Sequence, residues 1–198
     1  MNEISEISSV SEISEVRFRA ATAADASAIA HLRVDSWRAT YRGVMPDAYL
    51  DNMQAEQSAA MWAQVLAVDA AGICVFVAEV EAKSDRGAEI VGFASGMLLT
   101  PEKLDCNAEL TGIYIKPIAQ RGGVGRRLVS LVAQRLQQSG AVSLLSWVIS
   151  ENQPARKFHE ELGAELLVEQ AFAWDGLDLL EVGYGWQDLD ALLEKCET

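Results

Sequence analysis

The strongest constraint on the fold is a glycine-rich loop that joins a strand-like segment to an amphipathic helix. Residues 108–116 are rich in β-branched and aromatic residues, a composition typical of a strand. Gly122, Gly123 and Gly125 follow, and apolar residues then recur at a helical interval. The apolar positions of this helix are Val124, Leu128, Leu131, Val132 and Leu136. Gly140 predicts the end of the helix, because glycine commonly occupies the position just beyond a helix C-terminus.

The glycine-rich loop is electropositive although the chain carries a net charge of −13. Residues 116–127 include no acidic residue and four basic ones, which are Lys116, Arg121, Arg126 and Arg127. Glycine allows a ligand to approach the backbone, and the first turn of a helix has unpaired N–H groups and a positive dipole end. These properties predict a pyrophosphate site, with a plain turn as the alternative interpretation.

The residues after the glycines exclude two other phosphate-binding loops. A P-loop requires a lysine after its last glycine, where this chain has Arg126. A dinucleotide-binding fingerprint requires a third glycine at the position of Leu128. A pyrophosphate loop of another class and a plain turn are the interpretations that remain.

The remaining segments predict an α/β fold in which helices pack against a mixed sheet. Besides residues 108–116, strands are predicted at about residues 16–21, 73–80, 90–99, 142–149, 166–174 and 177–186, with a hairpin turn at 83–87. Capping residues and periodicity predict helices after Asp25, from the turn at 43–46 to Leu66, after Asn152 and after Asp188. The order β-α-α-β-β-β-α-β-α-β-β indicates a single domain over residues 16–198.

Residues 1–15 differ from the rest of the chain. They place an apolar residue at every third position among Ser and Glu, a period of neither strand nor helix, so we expect a mobile, low-complexity extension, with a docked or partner-binding segment as the alternative. The net charge of −13 opposes general binding to nucleic acid or to an anionic membrane. Three well-separated cysteines fit a reducing compartment, and no apolar run is long enough to span a membrane. We therefore expect a cytoplasmic protein.

Three segments resemble the GNAT superfamily of N-acetyltransferases. Gln120-Arg121-Gly122-Gly123-Val124-Gly125 is similar to the [Arg/Gln]-x-x-Gly-x-[Gly/Ala] motif of that superfamily. Residues 109–117 resemble its central bulged strand, and residues 152–163 resemble its second cofactor segment. The resemblance covers roughly residues 16–187. It implies a mixed, mostly antiparallel sheet of six to seven strands, with helices on both faces and a splayed central strand pair.

The resemblance also implies an acetyl-CoA donor, held by backbone amides of the loop and by the neighbouring strand. The residues that it assigns to the donor are Ile113, Tyr114, Ile115, Gln120, Arg121, Gly122, Gly123, Val124, Gly125, Arg126, Asn152 and Phe158. Whether the donor carries an acetyl or a longer acyl group stays open. With only two histidines in the chain we expect no metal site.

The implied reaction is direct acyl transfer to an amine, which requires removal of a proton. By similarity Glu109 is the candidate base, and a surface or ion-paired glutamate is the alternative. A backbone N–H near Ile113 is the expected donor to the oxyanion. Many family members use a tyrosine as the acid at the position of His159, so the candidate acids here are His159, Tyr184 or water.

The acceptor is expected to be a primary amine, on a small molecule or on a protein. Trp37 and Tyr41 share one helical face in the region where the family builds its acceptor pocket, and either bind a cationic amine or belong to the core. A non-catalytic acyl-CoA-binding or sensor domain is the competing function. A hydrolase is disfavoured because residues 92–96 do not form GxSxG. Homodimer formation stays open.

Overall fold

The computed structural model describes residues 15–68, 72–81 and 87–197. Nearly all of the predicted N-terminal extension and of the predicted hairpin turn lies outside the described residues. The strands are β1 (Arg17–Ala20), β2 (Ile73–Glu81), β3 (Ala88–Lys103), β4 (Cys106–Ile115), β5 (Leu144–Ile149), β6 (Glu165–Trp174) and β7 (Leu177–Trp186). The α-helices are α1 (Ala26–Thr40), α2 (Asp47–Asn52), α3 (Ala55–Ala67), α4 (Val124–Gln138), α5 (Gln153–Glu161) and α6 (Leu189–Glu197).

The strands form one seven-stranded sheet in the order β1-β2-β3-β4-β5-β7-β6. Neighbouring strands are antiparallel except β4 and β5, which are parallel and pair only at Glu109 with Leu145 and at Leu110 with Ser146. Helices cover both faces, because α4 and α6 pack on one hydrophobic cluster and α1 and α3 on another. The predicted mixed, mostly antiparallel sheet with a splayed central pair is confirmed.

Strand β4 contains a bulge beside the point where it separates from β5. Ser95 of β3 lies opposite Gly112, whereas the next residue, Gly96, lies opposite Leu110. Thr111 is therefore an extra residue in β4, which shifts the alternation of side chains between the two faces. A Cβ atom at Gly96 would lie 2.5 Å from Val132 of α4, so glycine lets this helix pack closely against the sheet.

Caps place the helix ends close to the predicted positions. The Asn152 side chain accepts a hydrogen bond from the Ala155 N–H at 3.2 Å, and that of Asp188 accepts one from the Asp190 N–H at 2.8 Å. Gly140 has a φ of +98°, and its N–H donates to the Gln137 carbonyl in the turn that ends α4. No helix of the described segments has both the length and the apolar character needed to cross a membrane.

Two element boundaries differ from the predictions. The second helical stretch is divided into α2 and α3, because Met53 and Gln54 have extended backbone angles between them. Strand β3 continues past Leu99 to Lys103, although a loop was expected there. The pairing of β3 with β4 is interrupted between Leu98 and Lys103. Pro101 is tolerated there because it has no N–H and no hydrogen bond between these strands needs one at that position.

Candidate active site

The predicted pyrophosphate loop ends at a helix start with unpaired donors. Arg121 and Gly123 have φ values of +66° and +80°, and Gly123 is the N-cap of α4. The Gln120 side chain donates to the Ile115 carbonyl at 2.9 Å, which ties the loop to the end of β4. The first hydrogen bond of the helix runs from the Arg127 N–H to the Gly123 carbonyl at 3.0 Å. The N–H groups of residues 124–126 precede it and have no acceptor within the helix, so they can bind an anion.

Gly125 brings the three predicted cofactor segments together. A Cβ atom at this position would lie 2.8 Å from Ile115 of β4 and 3.2 Å from the ring of Phe158 in α5. A side chain here would therefore force the Ile115 methyl group or α4 to shift and the Phe158 ring to yield slightly. Gly122 and Gly123 meet no atom of the described residues within 4 Å of the same position, so their outer side is open.

The edge of β4 beyond Leu110 has a partner strand on one side only. Ile113, Tyr114 and Ile115 pair with β3, whereas β5 pairs no further than Leu110. Alternate backbone groups on the β5 side therefore have no partner strand, and apart from the Ile115 carbonyl, which accepts from Gln120, an extended ligand can bind them as an added strand. The hydroxyl of Tyr114 accepts from the Trp37 indole at 2.9 Å, so its side chain belongs to the α1 face.

The candidate base lies on the face of the sheet that α1 covers. Glu109 pairs with Leu145, which points to the same face as Trp147 and Ile149 of β5. Burial raises the pKa of the Glu109 carboxyl, Lys103 opposes this shift, and Glu181 adds to it. Glu109 is partly exposed, so a ligand can contact it.

The candidate acid His159 lies on the opposite face and is only 2% exposed. Its Nδ1 is 2.7 Å from the Ala155 carbonyl, and its Nε2 is 3.0 Å from the Ser146 hydroxyl. Because a carbonyl only accepts, Nδ1 carries the proton and Nε2 accepts from Ser146 in the neutral ring. Burial lowers the pKa of His159, which favours that neutral form.

The second candidate acid, Tyr184, lies on the same face as His159. Its hydroxyl donates to Glu160 at 2.5 Å and accepts from the Arg156 guanidinium at 3.2 Å. Burial raises the pKa of this hydroxyl, and the hydrogen bond to Glu160 acts in the same direction. The predicted base and the two predicted acids are therefore on opposite faces of the sheet.

Trp37 and Tyr41 are buried in an aromatic cluster between α1 and the hairpin of β6 and β7. Their rings are 5.2 Å apart, and the Trp37 ring is 5.8 Å from that of Trp174. The Tyr41 hydroxyl accepts from the Asn152 amide at 3.1 Å, and burial raises its pKa to about 12. These contacts connect α1 with β4, the hairpin and the start of α5.

Sequence reasoning did not single out four residues near the divergence of β4 and β5. They are Lys103, Ser146, Trp147 and Glu181. Ser146 and Trp147 lie within an apolar run that predicts only a covered strand. Their position could have been found by placing β5 in register with Glu109, which requires the pairing of β4 with β5.

Comparisons with known proteins agree with this architecture. The acetyltransferase (GNAT) family profile matches residues 28–164. An uncharacterized N-acetyltransferase of Bacillus subtilis (strain 168), YuaI, is 36% identical over 177 residues, which are 89% of this chain and 96% of that protein.

Two solved structures have the same fold at low identity. The PaiA N-acetyltransferase of Thermoplasma acidophilum in complex with coenzyme A is 18% identical, with a TM-score of 0.61 over 85% of this chain and 98% of that one. YncA of Salmonella typhimurium, a putative acetyltransferase with its cofactor acetyl-CoA, is 18% identical, with a TM-score of 0.63 over 88% and 94%. Because the family profile covers more than half of this chain and YuaI nearly all of it, the chain belongs to the GNAT family of acetyltransferases.

Proposed function

We propose that this acetyltransferase moves an acetyl group from acetyl-CoA to a primary amine, on a small molecule or on a protein, by direct attack in a ternary complex. The observation that carries the proposal is the row of unpaired N–H groups at the start of α4, beside a strand edge that β5 leaves free. These two features suit the pyrophosphate and the amide-containing arm of one donor molecule. Two structural neighbours that are described with coenzyme A or acetyl-CoA bound support this assignment.

In this proposal the donor is held mainly by backbone groups. The N–H groups of residues 121–126 bind the pyrophosphate, and Gln120 keeps the loop against the end of β4. Ile113 and Ile115 pair their backbone with the arm, while Tyr114 keeps its side chain on the other face. Phe158 packs beside Gly125, and Asn152 fixes the start of α5.

Proton removal is the main chemical demand on the acceptor side. An amine with a pKa of ~10.4 is unprotonated in only about one molecule in 10³ at neutral pH, a handicap of roughly 4 to 5 kcal/mol. Glu109 lies beside the last paired residues of β4 and β5 and takes this proton, directly or through water. Its raised pKa improves its match to the operating pH.

The acyl transfer itself needs few further groups. The amine nitrogen attacks the thioester carbon, the C–N bond forms, and the C–S bond breaks as the thiolate leaves. A backbone N–H of β4 near Ile113 stabilises the oxyanion between these steps. Coenzyme A thiol resembles cysteine, with a pKa of about 8.5, so its thiolate is a good leaving group. Protonation of the thiolate by His159 or Tyr184 stays a prediction. The polar atoms of both side chains already have hydrogen-bond partners within the protein.

Thiol release from acetyl-CoA, measured across a panel of primary amines and peptide N-termini, tests this function. We expect at least one amine to give release well above the amine-free rate, and mass spectrometry to find the acetylated amine. An unchanged rate with every acceptor, in protein that still binds acetyl-CoA, would contradict the proposal and favour a non-catalytic acyl-CoA-binding domain.

A further inference from the structure

A cation of the chain itself lies over an aromatic ring beside the candidate base. The Lys103 ammonium is 4.3 Å from the ring centroid of Trp147, a distance at which a cation binds the electron-rich face of an indole. Lys103 is the last residue of β3 and is exposed. Its long side chain can leave the ring without any change in the backbone.

Trp147 occupies a particular place in the sheet. It follows Ser146, the last residue of β5 that pairs with β4, so its ring is next to the point where these strands separate. The register of β5 with β7 places Ile149 opposite Glu181, and Trp147 shares their face. Glu109 is on this face too, so the face that holds the indole carries carboxylates of two strands, and that of Glu181 accepts from the Gln170 amide at 2.8 Å.

The charges of this group influence one another. Lys103 lowers the pKa of Glu109 and Glu181 raises it, which indicates that both are within electrostatic range of Glu109. When the Lys103 side chain moves away, an aromatic face remains on the side of the sheet that holds both carboxylates, and Glu109 loses its nearby cation. These surroundings favour a ligand with a positive charge.

We propose that the Lys103 ammonium occupies the place where the acceptor's ammonium docks, over Trp147 on the face that holds Glu109 and Glu181, and that Lys103 competes with the acceptor for it. This inference rests on the proposed function and specifies its substrate class as amines that arrive protonated. The incoming ammonium displaces Lys103, and Glu109 then removes its proton at the site of attack. Lys103 thus sets the concentration at which an acceptor is bound.

A non-reactive cation tests the competition without turnover. Tetramethylammonium chloride is added to the full-length protein labelled on tryptophan, and the indole N–H signal of Trp147 is followed by NMR. This N–H has no hydrogen-bond partner among the described residues, so its shift reports on the ring's surroundings. We expect Lys103→Met to reach half-saturation at about fivefold lower tetramethylammonium than the wild type. Equal half-saturation in both proteins, or a signal that responds in neither, would overturn the inference.

Three variants serve as controls. Trp147→Phe assigns the signal by its loss. Lys103→Arg keeps a cation that stacks on the ring and should titrate like the wild type. Lys157→Met removes one positive charge from an exposed position on α5, a helix of the opposite face, and should also titrate like the wild type.

The same titration separates this inference from the proposed function. A protein that binds tetramethylammonium as expected but acetylates no amine would contradict the proposed function alone. A protein that acetylates amines but in which Lys103→Met and wild type titrate alike would contradict the Lys103 competition alone.

Discussion

Glu109 is partly buried and His159 is almost fully buried, and burial moves their pKa values in opposite directions. A low-polarity environment disfavours the charged form, so the carboxyl retains its proton to higher pH and the imidazole loses its proton more readily. Glu109 is partly exposed beside the free edge of β4, whereas both ring nitrogens of His159 have hydrogen-bond partners. At the residue scale Glu109 is therefore better placed to exchange a proton with a substrate.

Glu109→Gln is expected to lower kcat by about 10²- to 10⁴-fold, because the amide cannot accept the proton of the amine. In the wild type, activity should increase as the pH rises through the raised pKa of Glu109, since the ionised carboxylate is the active form. The variant should lack this rising limb. The measurement is thiol release against pH, with the best amine of the screen.

Glu102→Gln is the matched control, because it removes an exposed carboxylate from the adjacent part of β3 and should keep the rising limb. A folded Glu109→Gln protein with wild-type kinetics at every pH would exclude Glu109 from the mechanism.

Three elements meet at Gly125, and the donor site depends on their distance from one another. The loop turns through left-handed residues into α4, while β4 and the Phe158 ring of α5 approach the first turn of the helix. Only glycine allows this approach, because the nearest carbon atom is 2.8 Å from the place of a Cβ atom. At the element scale, the position of the unpaired N–H groups is therefore set by packing as well as by the loop itself.

Gly125→Ala is expected to lower the free energy of unfolding by about 1–3 kcal/mol and to raise KM for acetyl-CoA, because the Ile115 methyl group, the Phe158 ring or α4 must shift to admit the new methyl group. Urea denaturation and initial rates measure the two effects. Gly122→Ala should change stability by less than about 0.5 kcal/mol, since its Cβ atom would meet open space. Equal stability of the Gly125→Ala variant and the wild type would contradict the packing argument.

The sheet divides the whole molecule into two sides that are packed by different helices. On one side α4, α5 and α6 enclose a core in which His159 and Tyr184 are buried. On the other, α1 and the hairpin of β6 and β7 adjoin the face that holds Glu109 and Trp147. Ser146, which precedes Trp147 on the chain, connects His159 to β5, so the two sides meet where β4 and β5 diverge.

Replacement of His159 should change how global stability depends on pH. The unfolded chain binds a proton at His159 with a pKa near 6.5, whereas burial lowers the pKa in the folded state. The contribution of the neutral ring is fully present above pH 6.5 and is lost as the pH falls from there towards the folded-state pKa. Relative to His159→Gln, the wild type should lose up to about 1.4 kcal/mol per pH unit in this window.

Urea denaturation at several pH values between about 7.5 and 5.5 measures the free energy of unfolding of each protein. The difference between the two proteins at each pH cancels the effect of the titrating groups that they share. Parallel stability curves for wild type and variant would show that His159 does not titrate differently in the folded state.

Much of the fold was predictable because its signals are local. Gly140 and Asn152 mark helix ends through conformations and hydrogen bonds that involve neighbours within a few residues. The loop at 120–125 combines glycine conformation, basic charge and a helix start in a single short segment. The resemblance of these segments to one superfamily then implied the splayed sheet, which the structure has.

The placement of side chains about the sheet was not predictable in the same way. Simple alternation along β4 would place Glu109 on the same face as Ile113, but the bulge at Thr111 reverses the faces beyond it. The sequence by itself determined most of the elements and the loop, because these depend on contacts between near neighbours, and its motifs indicated the family. Only the tertiary structure decided that Glu109 faces Trp147 and Lys103 and lies opposite His159, because strand register and a bulge join residues that are distant in the chain.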